Sequence, residues 1–173
     1  GSDIGGSIRI PSHWSGVCGH KPSYGIVSAL GQIPGMPGTL SQADIAVAGP
    51  MARDVGDLEM ALDVLAGPDQ WNQLAYSLSL PPARHDRIAD FRVGVWIDED
   101  AAPISSEYRE LLINAASALE DAGSVVDYEA RPQFTFEKAV DTFQHLLSAA
   151  EAGTWTLSEI EELASSSEKP EGE

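Results

Sequence analysis

The sequence predicts an α/β fold, because apolar strand-like segments alternate with amphipathic helical ones. Residues 92–97 and 124–129 have strand composition, and a helical pattern over residues 106–122 lies between them. A strand, a helix and a strand joined by short links are typical of a right-handed parallel crossover. Further helices are predicted over residues 53–66 and 135–150, where apolar residues recur at spacings of three and four.

The ends of the predicted helices are marked by capping residues. Asp54 is placed to cap the 53–66 helix, which Gly67 and Pro68 end. Ser105 or Ser106 caps the 106–122 helix, and Gly123 closes it. Thr156 and Glu159 have the spacing of a capping box, which predicts a last helix over residues 157–164.

The remaining segments are predicted from their composition. A short helix is expected over residues 7–14, and a short strand over residues 24–29. Residues 31–44 are rich in glycine and proline and contain Met36. They predict a long loop that either shapes a substrate channel or only connects the segments on its two sides. Residues 68–90, which include His85, read as a surface excursion, and residues 165–173 as a disordered polar tail.

The amphipathic stripes predict which side chains pack in the core. They are Val55, Leu58, Leu62 and Leu65 in the first helix; Leu111, Ala115, Leu119 and Ala122 in the second; and Phe136, Val140, Phe143 and Leu147 in the third.

The charge and the cysteine content exclude several classes of function. The formal net charge is −17, the opposite of what nucleic-acid binding favours. No apolar run approaches a membrane span, so no membrane partner is predicted. Cys18 is the only cysteine, which excludes an intrachain disulfide and a thiolate zinc cluster. It is expected to pack as a small apolar side chain. No metal-ligand spacing is present, and no cofactor is predicted.

The candidate site is the first segment, Gly1-Ser2-Asp3-Ile4-Gly5-Gly6-Ser7-Ile8-Arg9-Ile10-Pro11. Small residues allow successive backbone N–H groups to turn toward one point, where they stabilise an anion. The segment therefore predicts acyl transfer, with Ser7 Oγ as the nucleophile. The predicted oxyanion donors are the amides of Ile4, Gly5, Gly6 and Ser7. A glycine and serine turn without chemistry is the alternative.

Motifs in the N-terminal part resemble the amidase signature family. They are the first segment, then Cys18-Gly19-His20-Lys21-Pro22-Ser23-Tyr24-Gly25, and then Gly49-Pro50-Met51-Ala52-Arg53-Asp54-Val55. The resemblance is specific over residues 1–67 and diffuse afterwards. It implies a mixed, mostly parallel central sheet covered by helices. It also implies a Ser–cis-Ser–Lys triad in which Ser7 is the nucleophile.

The resemblance also implies how much of the enzyme this chain holds. The triad lysine and the second serine would lie before Gly1, so residues 1–164 would form a partial amidase domain that is inactive alone. Asp3 and Arg9 would support the site structurally. The substrate would be a small-molecule amide and the location cytoplasmic, and a homodimer of the full-length protein is left open.

Other assignments compete with a stand-alone amidase. One is the glutaminase subunit of a tRNA-dependent amidotransferase, although the segment beginning at Ser41 departs from the pattern usual there. Others are a non-catalytic phosphate-binding module, which lacks the P-loop lysine, and an inactive amidase-like scaffold. Lys21 is interpreted as structural rather than as the base. His145, one turn from Asp141, is interpreted as an ordinary helix residue.

Overall fold

The computed structural model describes residues 1–31, 43–153 and 155–167 of the 173 in the chain. Its helices are α1 (Arg9–Ser15), α2 (Val55–Leu65), α3 (Ser106–Asp121), α4 (Phe136–Ala152) and α5 (Leu157–Ser167). Its strands are β1 (Ser2–Asp3), β2 (Cys18–Gly19), β3 (Val47–Ala48), β4 (Met51–Ala52), β5 (Arg92–Gly94) and β6 (Val125–Asp127). This mixture of helices and paired strands is the α/β class that the sequence predicts.

The chain divides into two compact units. The first contains residues Gly1–Ser79 and Gln144–Glu173, and the second contains Leu80–Phe143. In the first unit β1 pairs with β3 and β2 pairs with β4, both antiparallel. Its buried apolar side chains include those of Ile8, Val27, Val47, Ala48 and Leu58.

The second unit contains the predicted parallel crossover. Strands β5 and β6 pair in parallel, with Val93 opposite Val126, and α3 lies between them in the chain. The strands are shorter than predicted, and the expectation that residues 92–97 form a buried strand is wrong. Only the middle residue of β5 is half-buried, because within the described residues β5 pairs with β6 alone.

Helix ends follow the predicted caps closely. The Asp54 side chain accepts a hydrogen bond from the Gly56 amide (2.6 Å), and that of Ser105 accepts one from Tyr108 (3.2 Å). Thr156 and Glu159 form the predicted capping box, in which the Thr156 amide donates to Glu159 Oε2 (2.7 Å). Helix α5 continues to Ser167, three residues beyond its predicted end.

The predicted strand at residues 24–29 is wrong. Tyr24 and Gly25 form a turn, in which Gly25 has a φ of +82° and the Ile26 amide donates to the Ser23 carbonyl. Only Val27 makes strand-like contacts, as isolated bridges to Ala66 and Gly67. The glycine turn therefore limits β structure here to a single residue.

The predicted core stripes are partly wrong. In α2, Leu58 is buried and Leu62 half-buried, but Val55 and Leu65 are exposed. In α4, Phe143 is exposed, whereas the other three predicted side chains are half-buried. Helix α3 turns Leu112, Ala116 and Leu119 inward, and Leu111, Ala115 and Ala122 are exposed. Its apolar residues come in adjacent pairs, such as Leu111 and Leu112. The sequence pattern therefore fits either of two neighbouring helix faces, whose residue numbers are shifted by one.

Two predicted segments lie wholly or partly outside the described residues. Residues 32–42 of the predicted 31–44 loop, with Met36, are among these, and so are residues 168–173 of the predicted tail. The excursion over residues 68–90 is confirmed: residues 70–90 are all exposed and include only two short 3-10 turns. No helix in the described ranges combines the length and apolar character needed to cross a bilayer.

Candidate active site

The candidate site begins where β1 anchors the first segment to residues 47–49. Ser2 lies opposite Ala48 and Asp3 opposite Val47 in an antiparallel pair. The Gly1 amino group donates to the Gly49 carbonyl (2.9 Å), and the Gly49 amide donates to the Gly1 carbonyl (3.0 Å). The chain that leads to Ser7 is therefore fixed by backbone contacts to a distant part of the sequence.

The carboxylate of Asp3 organises the loop that follows. Asp3 is 1% exposed, and its side chain accepts hydrogen bonds from the amides of Gly6 (2.8 Å), Ile8 (3.0 Å) and Arg9 (3.3 Å). The Arg9 guanidinium adds two more, from Nε (3.1 Å) and Nη2 (2.9 Å). One buried carboxylate thus satisfies backbone donors on both sides of Ser7.

This environment stabilises the ionised form of Asp3. Burial by itself would raise the pKa of the carboxyl, because it disfavours a charge. The hydrogen bonds from Arg9 and from the three backbone amides outweigh burial and hold the pKa well below its usual range. The same ion pair raises the pKa of Arg9. Asp3 is therefore a fixed anion rather than a proton acceptor at neutral pH.

Ile8, the residue after the candidate nucleophile, anchors the loop through its buried side chain. Its side chain is 0% exposed. It lies against the positions where Gly19 and Gly49 would carry a Cβ, 3.0 and 3.1 Å from those points. Gly6 and Ile8 are buried, whereas Ser7 between them is exposed. The loop therefore presents the Ser7 side chain on the surface between two buried residues.

Gly6 has a conformation that requires glycine. Its φ is +126°, in a region that residues with a side chain rarely adopt. A Cβ at this position would meet Ile10 Cδ1 at 2.6 Å. A substitution of Gly6 therefore costs stability as well as altering the site.

The predicted oxyanion donors differ in their availability. The Gly6 amide already donates to Asp3, so a substrate oxygen would have to share it. Within the described ranges, the amides of Ile4, Gly5 and Ser7 have no hydrogen-bond acceptor. Helix α1 begins at Arg9 rather than at Ser7, and its first amides, those of Ile8 and Arg9, donate to the Asp3 carboxylate rather than to a side chain at the N-cap position.

Other residues singled out in the sequence have surroundings of their own. Lys21 is exposed, and its Nζ donates to the Pro22 carbonyl (3.3 Å). Cys18 is half-buried and pairs with Ala52 between β2 and β4. His145 is exposed on α4, and His85 packs edge-on against Phe91. No group of side chains suited to holding a metal occurs in the part of the chain that the structure describes.

Two features of the site were not predicted from the sequence. Gly49 approaches the His20 carbonyl and Pro22 so closely that a Cβ would overlap them, and Gly19 is equally close to Ser12 Oγ. The Ser12 hydroxyl is buried and has no hydrogen-bond partner among the described residues. The only sequence signal for such close packing is the presence of glycine at positions 19 and 49.

Comparison with known proteins identifies the class to which this arrangement belongs. The profile of the Amidase family matches residues 1–169. The chain therefore belongs to the amidase signature family, as its motifs predict.

Curated relatives match most of the length of this chain. The chain is 33% identical over 157 residues to a glutamyl-tRNA(Gln) amidotransferase subunit from Lachnospira eligens. This match covers 89% of this chain and 31% of the relative. The chain thus spans about a third of the length of such relatives.

Solved structures confirm the fold. A fatty acid amide hydrolase superposes with a TM-score of 0.63 at 28% identity, covering 85% of this chain and 26% of that one. A glutamyl-tRNA(Gln) amidotransferase subunit from Thermotoga maritima gives a TM-score of 0.70 at 24% identity, with 95% and 35% covered. The chain has the fold of part of an amidase signature protein. Its described strands form three separate two-stranded sheets rather than one mostly parallel sheet.

Proposed function

We propose that this chain supplies the nucleophile of an amidase, with Ser7 as the residue that becomes acylated. The observation that carries the proposal is the Asp3 carboxylate, which holds the amides of Gly6, Ile8 and Arg9 and leaves Ser7 exposed. A nucleophile held by its neighbours' backbone is pre-oriented for attack on a carbonyl carbon. Membership of the Amidase family supports the same chemistry.

The proposed reaction has two balanced steps. Ser7 Oγ attacks the carbonyl carbon of the amide, its proton passes to a base, and the amine leaves after accepting a proton. Water then attacks the acyl-serine ester, which releases a carboxylic acid and restores the Ser7 hydroxyl. We assign oxyanion stabilisation to the amides of Ile4, Gly5 and Ser7, because the Gly6 amide is committed to Asp3.

The proposed base lies outside these 173 residues. Within the described ranges Ser7 Oγ has no hydrogen-bond partner, and an unactivated serine hydroxyl is a weak nucleophile. We assign proton transfer to the second serine and the lysine of the amidase signature triad, which would lie before Gly1 if the chain follows the family pattern. Asp3 and Arg9 then act as positioning residues.

Covalent labelling tests the proposal directly. The full-length gene product is treated with a fluorophosphonate, and the modified peptide is identified by mass spectrometry. We expect the adduct on Ser7 and its loss in Ser7→Ala, with unchanged labelling in Ser15→Ala, an exposed serine at the other end of α1. Equal labelling of wild type and Ser7→Ala would remove Ser7 from the mechanism, and no labelling of either protein would leave the inactive-scaffold alternative.

A second candidate is a glutaminase subunit within an amidotransferase. It is favoured by the relatives, which are glutamyl-tRNA(Gln) amidotransferase subunits by name. It predicts Ser7-dependent hydrolysis of glutamine that becomes efficient only when partner subunits are added. Efficient hydrolysis of simple amides by the protein alone would favour the stand-alone amidase.

A further inference from the structure

One face of the segment that carries Ser7 is apolar and exposed. The helical path begins before α1, because the Ile10 amide donates to the Gly6 carbonyl (2.8 Å) and the Ser12 amide to the Ile8 carbonyl (3.1 Å). At about 100° per residue, Ser7, Ile10 and Trp14 lie within about 60° of one another around the helix. The buried residues Ile8 and Ser12 point to the other side.

The exposure of these two side chains is high for such apolar residues. Ile10 is 53% exposed and Trp14 is 83% exposed. Ile10 Cδ1 lies 2.6 Å from the point that a Cβ of Gly6 would occupy, so the side chain rests on the loop residue before the nucleophile. The reacting group of a bound amide would therefore lie beside Ile10, with Trp14 one helical turn further along.

No charged side chain of residues 7–14 lies between Ser7, Ile10 and Trp14 on this face. Arg9 lies about 100° or more from all three around the helix, and His13 lies at the edge of the face, about 60° from Ile10 and about 100° from Trp14. The Arg9 guanidinium is held by the Asp3 carboxylate. Nothing on this face pairs with the ammonium and carboxylate of an amino-acid amide, whereas an alkyl or aryl group would bury the exposed apolar surface.

We infer that Ile10 and Trp14 form an apolar wall that selects amides carrying an alkyl or aryl group next to the reacting C–N bond. This inference rests on the proposed role of Ser7. The apolar group could belong to the acyl half or to the amine half of the amide. Both have the same chemistry, and the two are distinguished by the substrates chosen for the test.

The test compares amides that differ in one half only. In the full-length gene product, kcat/KM is measured for acetamide, hexanamide and N-pentylacetamide. Ile10→Asn and Trp14→Ala are compared with Val64→Asn, a change at a similarly exposed apolar residue on α2. We expect about a tenfold or larger loss for hexanamide or N-pentylacetamide in the first two variants, little loss for acetamide, and no change in Val64→Asn.

The results separate this inference from the proposed function. Turnover that persists in Ser7→Ala would refute the proposed function and this inference with it. Ser7-dependent turnover in which Ile10→Asn and Trp14→Ala lower kcat/KM equally for all three amides would refute the apolar wall alone. If Ile10→Asn does not fold, as judged by circular dichroism, the same kcat/KM comparison is made with Ile10→Val and Trp14→Ala. A selective loss for one long amide supports the wall and identifies which half of the substrate it contacts.

Discussion

The two compact units of this chain bury very different kinds of groups. In the first, the Asp3 carboxylate, the Ile8 side chain and the β1–β3 backbone pairing are buried together around one loop. In the second, Ala116 and Ser124 are the buried side chains within the described residues, and the Asp98–Arg131 ion pair lies at the surface. The units therefore differ in what they bury: a hydrogen-bonded carboxylate in the first, and one small apolar side chain and one hydroxyl in the second.

This difference between the units predicts where substitutions should affect stability most. The loop around Ser7 is held by hydrogen bonds from backbone amides to the Asp3 carboxylate. Because these groups are buried, water cannot replace a lost partner. The crossover of the second unit depends on caps, helix propensity and a short parallel pairing. Substitutions should therefore have large effects around Asp3 and small effects around Arg131.

Asp3→Ala should produce the largest loss of stability. It leaves the buried amides of Gly6 and Ile8 without an acceptor, at about 1–3 kcal/mol each. We expect the free energy of unfolding to fall by about 3 kcal/mol or more, measured by urea denaturation. Asp98→Ala removes the exposed partner of Arg131 and should cost less than about 1 kcal/mol. Equal losses in the two variants would contradict the proposed contrast between the units.

Acid should weaken the first unit through the same carboxylate. Because the pKa of Asp3 is lower in the folded state than in the unfolded chain, its contribution is complete above the unfolded value of about 4. That contribution is lost progressively as the pH falls toward the lower folded pKa. We expect the difference in Tm between wild type and Asp3→Asn to shrink between about pH 6 and pH 3. A difference that stays constant or grows on acidification would reverse the assigned sign.

Gly49→Ala should destabilise the same unit by overpacking. The added methyl group would overlap the His20 carbonyl and press on Pro22, at a cost of about 1–3 kcal/mol. Gly5→Ala is the matched control, because a Cβ there meets nothing within 4 Å. We expect a lower Tm in Gly49→Ala and a nearly unchanged one in Gly5→Ala. Similar melting temperatures would show that the link between β3 and β4 can shift away from the added methyl group.

How much could be predicted from the sequence depended on the range of the interactions. The caps at Asp54, Ser105 and Thr156 join residues two or three positions apart, so their patterns were sufficient. The burial of Ile8 depends on Gly19 and Gly49, which lie far along the chain, and no local pattern predicts that approach. The proposed role of Ser7 was predicted from the small residues around it and from motif resemblance, and the proposed role of Asp3 from the resemblance alone.

The failures have local physical causes. Residues 24–29 have strand-like composition, but the glycine at position 25 turns the chain before a ladder can form. The adjacent apolar pairs Leu111–Leu112 and Ala115–Ala116 fit two helix faces, and only packing selects between them. The Gly6 amide makes a contact that the composition of the segment does not predict. A run of small residues suggests a shared anion site, yet a neighbouring carboxylate within the same motif occupies one of the donors.

Ser12→Ala should have the smallest effect, with the opposite sign. The Ser12 hydroxyl is buried without a partner among the described residues, and an unpaired buried hydroxyl costs about 1–3 kcal/mol. Alanine also has the higher helix propensity, by a few tenths of a kcal/mol or more. The hydroxyl does fill space beside Gly19, so its removal opens a small void that offsets part of the gain. We therefore expect stabilisation of about 1 kcal/mol or less by urea denaturation, whereas Ser15→Ala at the exposed end of α1 should change little. A loss of stability in Ser12→Ala would mean that the hydroxyl bonds to a buried water, and the first unit would then contain a second buried polar contact near Asp3.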